Sequence, residues 1–144
     1  MKVIIAGSRS ITNYDDVHRA MILSGLWDTY GDKLEVVCGM APGVDLLGLE
    51  FAKRNGLKWY EFPAAWDDIK APGAFIKYKN GRPYNANAGF DRNTNMAKFS
   101  RSLVLVWDGV STGSQHMYKE AAKYGLFRYK HEPNKPTLFD FFYD

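Results

Sequence analysis

Three short apolar runs, each ending in a glycine-bearing turn, constrain this chain more than any other feature. Lys2-Val3-Ile4-Ile5-Ala6 leads into Gly7-Ser8-Arg9-Ser10, and Leu34-Glu35-Val36-Val37-Cys38 leads into Gly39-Met40-Ala41-Pro42-Gly43-Val44-Asp45. Ser102-Leu103-Val104-Leu105-Val106-Trp107 leads into Asp108-Gly109-Val110-Ser111-Thr112-Gly113-Ser114. A parallel strand buried on both faces reads as such a run, and its carboxyl end is where an open α/β sheet binds ligands. Glycine allows close backbone approach, and the helix that follows offers unpaired N–H groups to an anion. Three turns of this kind on one sheet edge describe a nucleotide pocket.

Helical segments between the runs complete an alternating pattern. The spacing of Val17, Ala20, Met21, Ser24 and Trp27 predicts a helix from about Asp15 to Thr29, capped by Asn13 or Asp15. A second helix is expected from Val44 to Asn55, then a strand Lys58-Trp59-Tyr60-Glu61-Phe62 stopped by Pro63. Asp91 to Phe99 reads as a helix, the turn at 108–114 opens another that runs to Tyr124, and 126–131 reads as a last strand. Strands alternating with helices predict an α/β, Rossmann-like three-layer domain with a mostly parallel central sheet. One such domain accounts for residues 1–144, with two irregular pieces. Residues 66–89 carry Pro72, Gly73, Gly81, Pro83 and Gly89 among Lys70, Lys77, Lys79 and Arg82, and read as a long loop or flap. An aromatic tail follows at about 132–144, and from Thr137 onward it is aromatic enough to be expected packed, on its own core or on another subunit.

Composition narrows the function classes. The net charge of +3 is too mild to argue for nucleic acid by itself. No apolar stretch approaches the roughly 20 residues that span a bilayer, and the N-terminus lacks the order of a signal peptide. A cytoplasmic protein with no membrane partner is the expectation. Cys38, the one cysteine, ends an apolar run and reads as a small buried hydrophobe rather than a nucleophile. His18, His116 and His131 are scattered without metal-ligand spacing, so no metal is expected. No cofactor is expected either.

Each candidate site residue also has an ordinary reading. Gly7-Ser8-Arg9 can be a plain tight turn with a solvent-facing arginine, but a hydroxyl beside a guanidinium at a strand end suits phosphate or carboxylate. Gly39, Gly43 and Asp45 form the second turn, where Asp45 either caps its helix or meets a ribose hydroxyl. Arg92 and Asn93 put charge and amide donors near the strand ends, although Arg92 could instead make a surface pair with Asp91. Asp108, Gly109, Ser111, Gly113 and Ser114 supply small donors at a helix start and could ring a phosphate. Met96 reads as core and His116 as a polar helix residue. Trp66, Phe75, Tyr78, Tyr84 and Phe90 either close over a base or pack on the protein itself.

Taken in order, these pieces resemble the SLOG superfamily of Rossmann-like domains, most closely its YspA-type branch. The shared pieces are Gly7-Ser8-Arg9, the Gly-x-x-x-Gly-x-Asp turn ending at Asp45, Arg92-Asn93-Thr94-Asn95-Met96-Ala97 and Trp107-Asp108-Gly109-Val110-Ser111-Thr112-Gly113-Ser114. Pro63-Ala64-Ala65-Trp66 also resembles a segment of that branch, and the match runs over roughly residues 2–125. The resemblance implies a domain that binds nucleotides or nucleotide-derived signals of the ADP-ribose type, as a sensor or a sequestering protein, and it favours a homo-oligomer. Related Lonely Guy enzymes hydrolyse the N-glycosidic bond of nucleoside monophosphates, and DNA-processing protein A binds single-stranded DNA. Those enzymes pair an arginine, matched by Arg92, with a glutamate whose place here falls on Met117. Methionine can neither steady an oxocarbenium-like transition state nor activate water. Glu120, Asp45 or Asp108 would have to stand in. The expectation is therefore a nucleotide binder first, a nucleoside-monophosphate phosphoribohydrolase using Arg92 and Glu120 second, and a single-stranded nucleic-acid binder along the basic flap third.

Overall fold

A computed structural model describes residues 1–135 of the chain. Five parallel strands form the central sheet: β1 (Lys2–Gly7), β2 (Glu35–Cys38), β3 (Lys58–Glu61), β6 (Ser102–Val106) and β7 (Phe127–His131), in the spatial order β3-β2-β1-β6-β7. Between them run α1 (Tyr14–Leu23), α2 (Leu26–Tyr30), α3 (Val44–Arg54), α4 (Ala88–Phe99) and α5 (Thr112–Lys123). This is the Rossmann-like three-layer α/β architecture. Strand order reverses between β1 and β6, and a crevice opens at such a switch point.

Alternation along β1 builds both layers. Val3 and Ile5 face the core shared with Val17, Ala20 and Met21 of α1 and Phe51 of α3. Ile4 and Ala6 face the opposite core, with Met96 and Ala97 of α4 and Met117 and Ala121 of α5. Burial on both faces is why the strand is continuously apolar.

Two expectations about local structure are corrected. The helix read as continuous from Asp15 to Thr29 is broken, because Gly25 adopts φ 79°. Ser24 stabilises the break: its Oγ donates to the Met21 carbonyl at 2.8 Å and accepts from the Leu26 N–H at 3.2 Å. At the start of α1, Asn13 is the cap, accepting from the Asp15 N–H at 3.0 Å. The segment read as a loop contains an antiparallel hairpin, β4 (Ile76–Lys79) and β5 (Arg82–Asn85). Asn80 and Gly81 turn it with φ of 52° and 78°, the paired positive values of a two-residue type I′ turn. The aromatic tail from Thr137 onward lies outside the described residues.

Candidate functional site

The carboxyl ends of β1 and β6 are locked together before any ligand is considered. The Ser8 N–H donates to the Val106 carbonyl at 3.0 Å, and Ser8 Oγ accepts from the Asp108 N–H at 2.9 Å. Ser8 is fully buried, so its hydroxyl ties two turns rather than facing a ligand. Asp108 folds the next turn onto itself. Its Oδ1 accepts from the N–H groups of Val110 and Ser111 at 2.9 and 2.8 Å, and its Oδ2 accepts from Ser10 Oγ at 2.9 Å. Those backbone donors hold the carboxyl down at about 2.

The consequence lies at α5. No side chain caps its start; Ser111 Oγ instead lies 3.1 Å from Ser114 Oγ. The first intrahelical acceptor is Ser111, whose carbonyl takes the Gln115 N–H. Within the described residues the N–H groups of Thr112, Gly113 and Ser114 therefore have no acceptor, and the helix field at that point favours an anion.

These groups open on a hollow of about 480 Å³, within the range of small-molecule sites. Gly7, Arg9, Asp45, Arg92, Asn93, Asp108, Ser111, Gly113 and Ser114 all line it. Gly39 borders an adjoining hollow of about 260 Å³ that shares Arg9 and Arg92. Ser8, Gly43 and Gly109 line neither. Sequence reasoning passed over Ser10 and Thr112, which also line the main hollow. Their signal was present, since each is a hydroxyl residue inside a turn already singled out.

The glycines separate by what a side chain there would strike. At Gly43, which has φ 84°, a Cβ would come within 2.5 Å of the Ser8 carbonyl oxygen and 2.6 Å of Arg9 Cα. That glycine serves the packing of one turn on another. At Gly113 a Cβ would meet nothing within 4 Å, φ is not positive, and the residue borders the hollow. The protein's own packing gives no reason for a glycine there.

Arg9 and Arg92 differ in the same way. Arg92 is spoken for: its Nη1 donates to the carbonyls of Gly39 and Phe62, and its Nε donates to Asn93 Oδ1 at 3.0 Å. It also lies 3.9 Å from Asp45 Oδ2, so the surface pair with Asp91 does not form and Arg92 binds together the ends of β2 and β3. Asp45 is no helix cap either. Gly43 holds that position, and Asp45 Oδ2 accepts from the Ala41 N–H at 3.1 Å. Burial pushes the Asp45 carboxyl above its ordinary value, against the pull of Arg92 and the N–H groups of Ala41 and Gly7. Burial likewise lowers Arg92. Arg9, by contrast, is exposed and makes no hydrogen bond or ion pair within the described residues.

Aromatic side chains wall the opposite flank. Trp66 and Phe90 line the hollow, while Phe75 and Tyr78 are exposed and do not border it. Phe90 stacks on His116 with ring centroids 4.2 Å apart. His116 is in contact with Asn93 Nδ2 at 3.2 Å through its Nδ1, and burial lowers its pKa. Glu120 faces this cluster, accepting from Thr94 Oγ1 at 3.0 Å and lying 3.7 Å from His116 Nε2, and it does not line the hollow. Met117 does line it.

No family model, curated protein or solved structure matches the chain. Among the described residues no helix is long and apolar enough to cross a membrane, and no group of three or more His, Cys, Asp or Glu side chains could hold a metal. Cys38 is buried, and burial beside Asp45 and Glu61 pushes its thiol up to about 12. It is not a nucleophile at neutral pH.

Proposed function

We propose that the chain binds a nucleotide or nucleotide-derived phosphate ligand of the ADP-ribose type in the hollow between β1 and β6. One observation carries the reading. The uncapped start of α5, with Gly113 unobstructed, opens on the same hollow as the unpartnered Arg9. Three N–H groups would take the phosphate oxygens, Arg9 would supply the charge, and Ser111 and Ser114 would add hydroxyls. Trp66 and Phe90 offer faces for a base. The order of motifs supports a SLOG-type domain acting as a sensor or a sequestering protein, and assembly into a homo-oligomer fits the same reading.

Calorimetric titration tests it. AMP and ADP-ribose should bind the protein, adenosine should bind at least about tenfold more weakly, and Arg9→Ala should weaken the phosphorylated ligands selectively. Equal affinity for adenosine and AMP would remove the phosphate from the reading.

A second reading has one observation in its favour. Asp45, a buried carboxyl whose pKa is raised, lines the hollow and could serve N-glycosidic hydrolysis where Met117 cannot. It predicts release of free base from a nucleoside monophosphate, abolished in Asp45→Asn. Absence of base by chromatography at high protein concentration eliminates it.

A further inference from the structure

The hairpin of β4 and β5 leans over a second hollow of about 970 Å³, and that hollow shares Arg9 and Trp66 with the first. The register pairs Lys77 with Tyr84 and Lys79 with Arg82. Residues two apart on a strand and directly opposite across a ladder share one face. Lys77, Lys79, Arg82 and Tyr84 are therefore gathered on one side of the hairpin, and all four line this hollow. On the other side Pro83 borders it, while Ile76 and Tyr78 do not.

Two electrostatic facts distinguish this outer hollow from the inner one. Inside, the two arginines Arg9 and Arg92 are accompanied by two carboxylates, Asp45 and Asp108, of which Asp45 lies 3.9 Å from Arg92. Outside, Arg9, Lys77, Lys79 and Arg82 face a single carboxylate, Asp67. Lys79 and Arg82 are also directly opposed across the turn, an arrangement that repels and disfavours the hairpin. Within the described residues none of the three hairpin cations has a carboxylate within 4.0 Å. A repelling, unneutralised set of cations facing a hollow is what a bound anion would relieve.

We infer that the hairpin face is a second anion subsite, and that the ligand carries a further phosphate group beyond the nucleotide unit held at α5. This rests on the nucleotide reading above and extends it. A mononucleotide would occupy the inner hollow and leave the cations of the outer one unmet. A longer ligand would pass Arg9 and Trp66 and place that further phosphate among Lys77, Lys79 and Arg82. Trp66 and Tyr84, with ring centroids 6.3 Å apart, flank that passage as an edge-to-face pair.

Calorimetry with AMP, ADP-ribose, and ADP-ribose phosphorylated at either its 2′ or its 1″ hydroxyl tests the inference. One of the phosphorylated forms should bind at least about tenfold more tightly than both AMP and ADP-ribose, the scale of one charge-assisted hydrogen bond. The triple variant Lys77→Gln, Lys79→Gln, Arg82→Gln should erase that advantage and leave AMP binding unchanged. All three side chains are exposed, and an unchanged melting curve checks that the variant folds. No advantage for the extra phosphate, or an advantage that survives in the triple variant, overturns the subsite. Tighter binding of a short oligo-dT than of any mononucleotide-derived probe, lost in the triple variant, overturns it in favour of a nucleic-acid surface. Failure of AMP itself to bind the wild type is a different result and removes the underlying nucleotide reading.

Discussion

Gly113→Ala separates a ligand-driven residue from a fold-driven one. Gly113 lies in the first turn of α5 without a positive φ, and a Cβ there meets no atom within 4 Å. Alanine is the better helix former by up to about 1 kcal/mol, and it also restricts the unfolded chain. A gain of roughly 0.5 kcal/mol is expected, which for a domain of this size raises Tm by about 1–2 °C. Ligand binding should move the opposite way. A helical Cβ tilts toward the helix N-terminus, which is where an anion on the Thr112–Ser114 donors would rest. Losing even one charge-assisted hydrogen bond costs about 1.5–3 kcal/mol, or roughly 10–150-fold in Kd. Thermal unfolding and calorimetry with AMP read the two effects separately. Gly43→Ala gives the contrast: its Cβ would crowd the Ser8 carbonyl at 2.5 Å with φ at 84°, so Tm should fall sharply. A Gly113→Ala protein that is stabilised and still binds AMP with wild-type affinity would refute the assignment of α5 as the phosphate site.

Other consequences can be checked as directly. Asp108, with its carboxyl held at about 2, adds stability that is complete above the unfolded value near 4 and is lost as pH falls through about 2. Asp108→Asn should therefore melt lower than wild type at pH 7, with the gap in Tm closing between about pH 4 and pH 2. Arg92→Ala should destabilise by about 3 kcal/mol, because it strands the buried Asp45 carboxyl beside two unmet carbonyls. Combining it with Asp45→Asn should recover part of that loss in a double-mutant cycle, and strict additivity would show that the two groups are uncoupled. Cys38 should resist a thiol reagent at pH 8 until the protein is unfolded; prompt reaction of the native protein would contradict its burial.

The central strands were legible because burial on both faces leaves them almost continuously apolar, whereas the edge strands β3 and β7 are largely exposed and were read from the turns that bound them. β1 and β6 could not have been read otherwise, and the glycine turns at their ends pointed to the crevice. What escaped has local causes. The Gly25 break is invisible to helical periodicity, since Trp27 continues the apolar stripe of Val17, Ala20 and Met21 across it. The hairpin was missed although Asn80-Gly81 is a strong two-residue turn signal, because alternation beside it puts lysines rather than apolar residues on one face. Ser8 and Arg92 carried the right chemistry, but their hydrogen bonds to Val106, Asp108, Gly39 and Phe62 depend on tertiary partners that no spacing rule supplies.

Those same bonds explain why the two arginines cannot be exchanged in any account of binding. Asp45 and Arg92 form a buried, nearly balanced pair that fixes the ends of β2 and β3 against α4, and a group so engaged has little left to offer a ligand. Arg9 has no such obligations and stands where the inner and outer hollows meet. Loss of binding in Arg92→Ala would thus report a collapsed floor, with a lowered Tm to match. Loss in Arg9→Ala at unchanged Tm would report a missing contact. If instead Arg9→Ala left the affinity for every phosphorylated probe intact, the anion would have to be held by the backbone of α5 alone, and the hairpin cations would have no bridge to it.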